Sequence, residues 1–308
     1  MKKAINHNVL LIICISCMLA SKSVIAQQNV QYTQYMYDGS LINPAYVGAD
    51  EALSMTLVHR DQWNGLDGAP QSQTFSAHTL FKKKQFGTGI IIHRESIGIH
   101  QSFNAGANFA YHLPTGRYSY LSFGMQAAAF SRQSDYQAVQ GTTMDPSAIN
   151  GDYKETFFDA SFGLYFRSKK FHMGYSASEI LPRDYILGDT LAVNSDNFSH
   201  LVFTKLILPL SRSVDLTPSV LLKYYAGTPL SYDLNLNTTI HEVISLGVSY
   251  RKDESVDFLV RLNITPQFQV GYAYDNPIGS VADFAKASNE LMLRYLFKFK
   301  YDKVVSPR

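Results

Sequence analysis

Residues 291–300 read LMLRYLFKFK. Leu291, Leu293, Tyr295, Phe297 and Phe299 alternate there with Met292, Arg294, Leu296, Lys298 and Lys300, so one face is apolar and the other mostly basic. A period of two belongs to a β-strand, whose successive side chains point to opposite faces. The pattern recurs upstream: Tyr232, Leu234, Leu236, Thr238 and Ile240 against Asp233, Asn235, Asn237, Thr239 and His241, and Phe268, Val270, Tyr272 and Tyr274 against Gln269, Gly271, Ala273 and Asp275. It is equally clear in Val256, Phe258, Val260, Leu262 and Ile264 against Asp257, Leu259, Arg261 and Asn263. A fifth example sets Leu121, Phe123 and Met125 against Ser122, Gly124 and Gln126.

Further alternating stretches cover residues 52–60, 72–81, 86–94, 100–112, 155–167, 171–178, 197–208, 213–225 and 242–251. The total is about fourteen, an even number as single-chain bacterial membrane barrels require. Two stretches are irregular: 72–81 is polar on both faces and 197–208 is apolar on both. The connections alternate in length. Short turns fall near Lys83, Pro114, Lys169, Pro209, Glu242 and Pro266, whereas the other parity holds Asp61 to Gln71, Arg132 to Lys154, Glu179 to Asp196 and Asn276 to Ser288. Outer-membrane barrels sort periplasmic turns from extracellular loops in this way. The expected fold is therefore an all-β transmembrane antiparallel barrel over residues 52–300, with both chain ends on the periplasmic side and a short periplasmic tail at 301–308. The competing reading is a secreted β-sandwich, which also alternates. Strands of roughly 10 residues, the length of a tilted membrane crossing, and a polar second face throughout favour the barrel.

The amino-terminal residues support export. Lys2 and Lys3 precede an apolar run from Val9 to Ala20, and Val24-Ile25-Ala26 ends the segment. Residues 1–26 read as a secretory signal peptide cut after Ala26, the run being too short for a spanning helix of about 20 residues. A lipoprotein modified at Cys17 is disfavoured by Cys14 upstream. Both cysteines of the chain lie in this segment, so the exported protein has no thiol for disulfides, metal-thiolate sites or nucleophilic catalysis. Of 27 Lys and Arg, removal of Lys2, Lys3 and Lys22 leaves 24 against 25 acids, a balance that offers nucleic acid nothing.

Catalytic motifs are lacking: there is no HExxH, GxSxG or phosphate-binding loop, and no catalytic, cofactor or metal site is expected. Gly87-Thr88-Gly89 sits inside a strand, where glycine marks close packing or a kink. His59, His93, His172 and His241 fall on separate strands or turns, with His93 near Glu95 the one suggestive pair, and read as lumen-lining or interface residues. Arg294, Lys298 and Lys300 form a basic stripe that would hydrate the lumen or pair with Asp233 or Asp257. Two segments do not read as plain wall. Within residues 27–51, a periplasmic or luminal segment, Tyr32, Tyr35, Tyr37 and Tyr46 crowd together before and around Asn43-Pro44; this stretch either plugs the lumen or binds a partner at the periplasmic mouth. The second is HRDQWNGLDGAP at 59–70, which holds Trp63, the sole tryptophan, either as an interfacial anchor or in a binding role.

These two segments carry a family resemblance. QYTQYMYDGSLINPAYVGA at Gln31 to Ala49 resembles the opening Q-[FY]-x-Q-Y-M-x(4)-L-x-INPAY-x-G of the PorP/SprF family of type IX secretion proteins of Bacteroidetes, and HRDQWNGLDGAPQSQTFSAH at His59 to His78 is similar to its R-x-Q-W…P-x-[ST] segment. Asp38-Gly39 departs from a common Asn-Pro pair, and the tail YDKVVSPR follows the last strand. The resemblance implies a non-enzymatic outer-membrane barrel, similar to fatty-acid-transporter barrels, in the protein secretion and gliding-motility apparatus. It implies the export or surface retention of adhesins bearing a type B C-terminal signal, and partners among the other secretion components, including periplasmic lipoproteins tied to peptidoglycan, besides outer-membrane lipid. On the same basis Tyr35, Asn43, Pro44 and Tyr46 would shape the periplasmic or luminal segment, and Trp63 and Pro70 an outer loop. The alternative is an outer-membrane channel or transporter for small or hydrophobic solutes.

Overall fold

The computed structural model describes residues 31–81, 85–136, 152–181, 183–187, 191–195, 199–225, 228–283 and 285–297. The signal segment, the tail at 301–308, and Lys83, Lys298 and Lys300 lie outside the described residues. The strands are β1 (Leu53–Asp61), β2 (Gln71–Phe81), β3 (Phe86–Ile97), β4 (His100–Gly116), β5 (Ser119–Asp135), β6 (Asp152–Arg167), β7 (Phe171–Ser178), β8 (Arg183–Leu187), β9 (Leu191–Ser195), β10 (Ser199–Leu206), β11 (Leu208–Pro209), β12 (Val214–Tyr225), β13 (Ser231–Ile240), β14 (Ile244–Arg251), β15 (Ser255–Asn263), β16 (Phe268–Pro277) and β17 (Ser288–Phe297).

Fourteen of these form one closed antiparallel barrel. Each pairs with its neighbour in sequence, β10 bridges β7 and β12, and β1 closes on β17 from Leu53↔Phe297 to Asp61↔Asn289. The short β11 continues β10 along β12, while β8 and β9 form a hairpin of their own within the β7–β10 connection. Closure removes the sheet edges, whose unpaired backbone groups hydrocarbon could not satisfy.

The alternation in the sequence sets the two faces. Leu57, Phe103, Phe109, Phe123, Met125, Phe158, Leu234, Leu236, Phe258 and Leu291 point outward and are exposed, while Ser54, Thr56, Asn108, Ser122, Asp233, Asn235, Asp257, Asp275, Glu290 and Arg294 point inward and are buried. So many exposed large apolar side chains, together around the whole wall, are untenable in water and suit a lipid solvent.

Both irregular stretches are barrel strands, with different reasons for their pattern. In β2 the residues Ser72, Thr74, Ser76 and His78 are buried inward, and Thr74, Ser76 and His78 contact polar groups inside the barrel. In β10, Phe203 is apolar and inward because it meets the ring of Tyr35 edge-on, with centroids 5.8 Å apart. Connection lengths sort by end. The turn end carries 117–118, 168–170, 210–213, 241–243 and 264–267; the loop end carries 62–70, 136–151, 179–198 and 278–287 along with the shorter 98–99, 226–230 and 252–254.

The first and last barrel strands begin and end at the turn end, as the parity predicts, but the chain before β1 takes a different course. Gln31 sits at the loop end, where its side chain meets Glu254 and Arg251, and Ala49 reaches Arg167 at the turn end. Residues 31–50 thus run down the inside of the barrel along its whole length.

Candidate functional site

The luminal segment folds through two single-turn 3-10 elements, each started by a side-chain cap. Asp38 precedes Gly39–Leu41 and its carboxylate accepts from the Ser40 amide at 3.0 Å; Asn43 precedes Pro44–Tyr46 and its Oδ1 accepts from the Ala45 amide at 2.9 Å. A short polar side chain is needed at such a cap, and proline suits the position after it because its missing N–H would have no partner. This is the local logic of D-G-S-L-I-N-P-A-Y. Gly48 then turns with φ of +87°, against the backbone of Gly87 on β3.

The wall is shaped to receive this chain. A Cβ at Gly87 would overlap the Val47 carbonyl, at Gly124 the Ala45 backbone, at Gly163 the Asn43 amide oxygen, and at Gly271 the Gln34 amide. These glycines face the lumen on β3, β5, β6 and β16, so the absence of four side chains makes the groove in which the segment lies. Asn43 anchors its middle: its Nδ2 donates to the carbonyls of Leu164 at 2.9 Å and Tyr175 at 3.1 Å on adjacent strands.

Charges clamp both ends. Toward the loop end the Glu290 carboxylate accepts from the amides of Thr33 and Gln34, each at 2.8 Å, and Arg60 joins it and Asp275 at 3.3 and 2.7 Å. The Thr33 hydroxyl donates to Asp275 and accepts from Arg60 and Arg251. Nearer the turn end Arg294 donates to the Tyr37 carbonyl and to Asp50. Asp38 accepts from Thr56 at 2.6 Å, and His78 lies between Asp38 and Asp50. Thr56 and His78 thus face the buried Asp38 carboxylate, and Arg294 and His78 face that of Asp50. Arg294 therefore pairs with the luminal segment instead of Asp233 or Asp257, which face Lys223 and Arg251.

The structure brings Tyr35, Asn43, Pro44 and Tyr46 together inside the barrel. Tyr35 is buried, its hydroxyl accepting from Asn235 at 2.7 Å. Pro44 packs by the inner face of Gly163, and the Tyr46 ring meets His78 and Tyr165 edge-on while its hydroxyl donates to Asp50. Trp63 and Pro70 are elsewhere, in the 62–70 loop. The Trp63 amide donates to the Ser288 hydroxyl at 3.1 Å and the Pro70 carbonyl accepts from Gln62 at 2.9 Å. Sequence reasoning missed Glu290, Arg60, Asp38, Asp50 and the lumen-facing Gly124 and Gly163. The inward register of their strands marks the wall residues as luminal, but which of them meets the segment depends on where it lies. His93 bonds Thr74, while His112, not singled out, donates from its Nε2 to the Val47 carbonyl at 2.9 Å.

The luminal segment is thus a capped INPAY turn seated on a glycine track, behind an aromatic-rich opening. Residues 24–295 match the family described as type IX secretion system membrane protein PorP/SprF. The chain belongs to this family. No curated protein sequence matches it. Among solved structures it is similar to the CymD monoaromatic hydrocarbon channel, at 10% identity and a TM-score of 0.53 over 85% of this chain and 93% of that one. A Pseudomonas aeruginosa FadL homologue is similar at 10% identity and a TM-score of 0.47, over 80% of this chain and 90% of that one. Omp33 of Acinetobacter baumannii is similar at 9% identity and a TM-score of 0.45, over 80% and 99%. At such identities the likeness shows the fold alone: this PorP/SprF protein is an outer-membrane-type barrel.

Proposed function

We propose that this PorP/SprF protein is a non-enzymatic outer-membrane component of the type IX secretion and gliding apparatus that binds or anchors exported surface proteins, those with the type B C-terminal signal. Its turn end faces the periplasm, where peptidoglycan-associated lipoproteins of the apparatus would meet it, and its loop end faces outward. The observation that carries this reading is a secretion-family barrel whose lumen holds a built-in segment, clamped by buried charges and seated on glycines. A solute channel needs a continuous aqueous path, and here the segment occupies part of the lumen from its loop end to its turn end. Roles for Tyr35, Asn43, Pro44 and Tyr46 then follow as shaping a rigid luminal core, while Trp63 and Pro70 shape a loop at the face open to exported partners.

The test is a strain deleted for this protein and any paralogue. Loss of surface adhesins from washed cells and of spreading motility is expected. Normal surface adhesins and normal spreading would overturn the reading.

A further inference from the structure

The luminal segment lies against the charged wall and leaves a cavity of about 170 Å³ on the other side, between it and strands β3 to β7 and β10. Ile42 and Pro44 make its floor, His93, Asn104, Ala128 and Leu201 line its sides, and Ser178 and Tyr225 line it at the loop end. Phe130, also in the lining, stacks on Phe157 with ring centroids 5.1 Å apart.

We propose that this cup is an anchor pocket that takes one uncharged side chain, aromatic or amide-bearing, with its adjoining peptide group, from an exported protein at the outer face. The inference rests on the secretion reading above. Three observations carry it. First, His93 is only 4% exposed, its Nδ1 is shared with the Thr74 hydroxyl at 2.8 Å, and its Nε2 has no protein partner; the buried Asn104 Oδ1 has none either. A buried polar atom without a partner costs about 1–3 kcal/mol, and a ligand amide would supply partners to both.

Second, the cup is neutral. Arg60, Arg251, Lys223, Asp233, Asp275 and Glu290 all engage one another on the opposite side of the lumen. Among the described lining residues Glu179, at the loop end, alone carries formal charge. Below Glu179 a charged ligand group would lose its hydration with no opposite charge in the lining beside it. Third, the volume of about 170 Å³ is well under the roughly 300–1,000 Å³ of drug-sized small-molecule pockets and matches a single side chain. A single side chain buried in a fitted pocket is how interfaces concentrate their binding energy.

The test uses the full-length protein in detergent micelles and saturation-transfer NMR with capped tripeptides Ac-Gly-X-Gly-NH2, X being Tyr, Gln, Glu or Lys, and with maltotriose as a neutral non-peptide probe. The Tyr and Gln peptides are expected to bind at least tenfold better than the Glu and Lys peptides and than maltotriose. Ala128→Phe, which fills the cup, is expected to lower that binding at least tenfold while heat-modifiable gel migration stays intact. Ala128→Leu serves if the larger side chain prevents folding. Equal binding of charged and neutral peptides, a preference for maltotriose, no binding, or binding unchanged by filling would overturn the proposal. In cells, Ala128→Phe is expected to reduce surface retention of adhesin. Normal retention with the filled cup, alongside a defective deletion strain, overturns the cup alone; a normal deletion strain overturns the secretion reading instead.

Discussion

Gly124 faces the lumen on β5, and a Cβ there would overlap the backbone of Ala45. Neither that backbone nor the strand can give way cheaply, so Gly124→Val is expected to lift the INPAY turn from its groove at a cost of about 1–3 kcal/mol, as overpacked cores show. A lowered midpoint of heat-induced unfolding on gels checks it, and Gly163→Val is expected to act alike through Asn43. Glu290 is the second decisive residue, since its two oxygens accept the amides of Thr33 and Gln34 and it faces Arg60. Glu290→Ala leaves Arg60 with one carboxylate fewer in a buried site, where breaking such a pair costs about 3–5 kcal/mol; urea midpoints of the two proteins measure it.

Within an element, neighbouring residues answer to different solvents. Leu236, near the middle of β13, is outward and 50% exposed, whereas Asn237 is inward and accepts from the Tyr37 hydroxyl at 2.9 Å. Leu236→Arg places a charge in hydrocarbon and is expected to cost about 2–4 kcal/mol. Asn237→Ala removes one buried hydrogen bond and is expected to cost about 1 kcal/mol. Equilibrium unfolding in lipid vesicles compares the two, and equal costs would argue that the outer face is not in lipid. The alternation that assigned these faces was legible directly, because a two-residue period follows from backbone geometry alone. β10 was less legible: Leu201 and Phe203 break the polar inner series where they pack against the luminal segment and its neighbours.

For the molecule as a whole, the luminal segment bears on conductance and the loop parity on orientation. The intact protein is expected to show almost no conductance in planar bilayers, and a variant lacking residues 31–48 to show steady open channels. Large conductance from the intact protein would favour the transporter alternative. With no cysteine beyond position 17, single-cysteine labelling is clean: Asp67→Cys in the 62–70 loop should react with a membrane-impermeant maleimide on whole cells, and Arg117→Cys in the 117–118 turn should not.

By itself the sequence determined what depends on local chemistry and periodicity. Alternating faces, turn residues and connection parity specify fourteen strands and which side chains meet lipid, because each is written within about ten residues of chain, and the QYTQYM…INPAY string marks the family. Tertiary structure alone decided where that string goes. Two placements were open for an aromatic-rich segment before β1, and nothing nearby in sequence chooses between them. The choice is made by partners up to 257 residues away, such as Glu290 holding the Thr33 amide and Arg294 holding the Tyr37 carbonyl. It is made equally by glycines whose missing side chains signify only once the barrel has closed around the chain they accommodate.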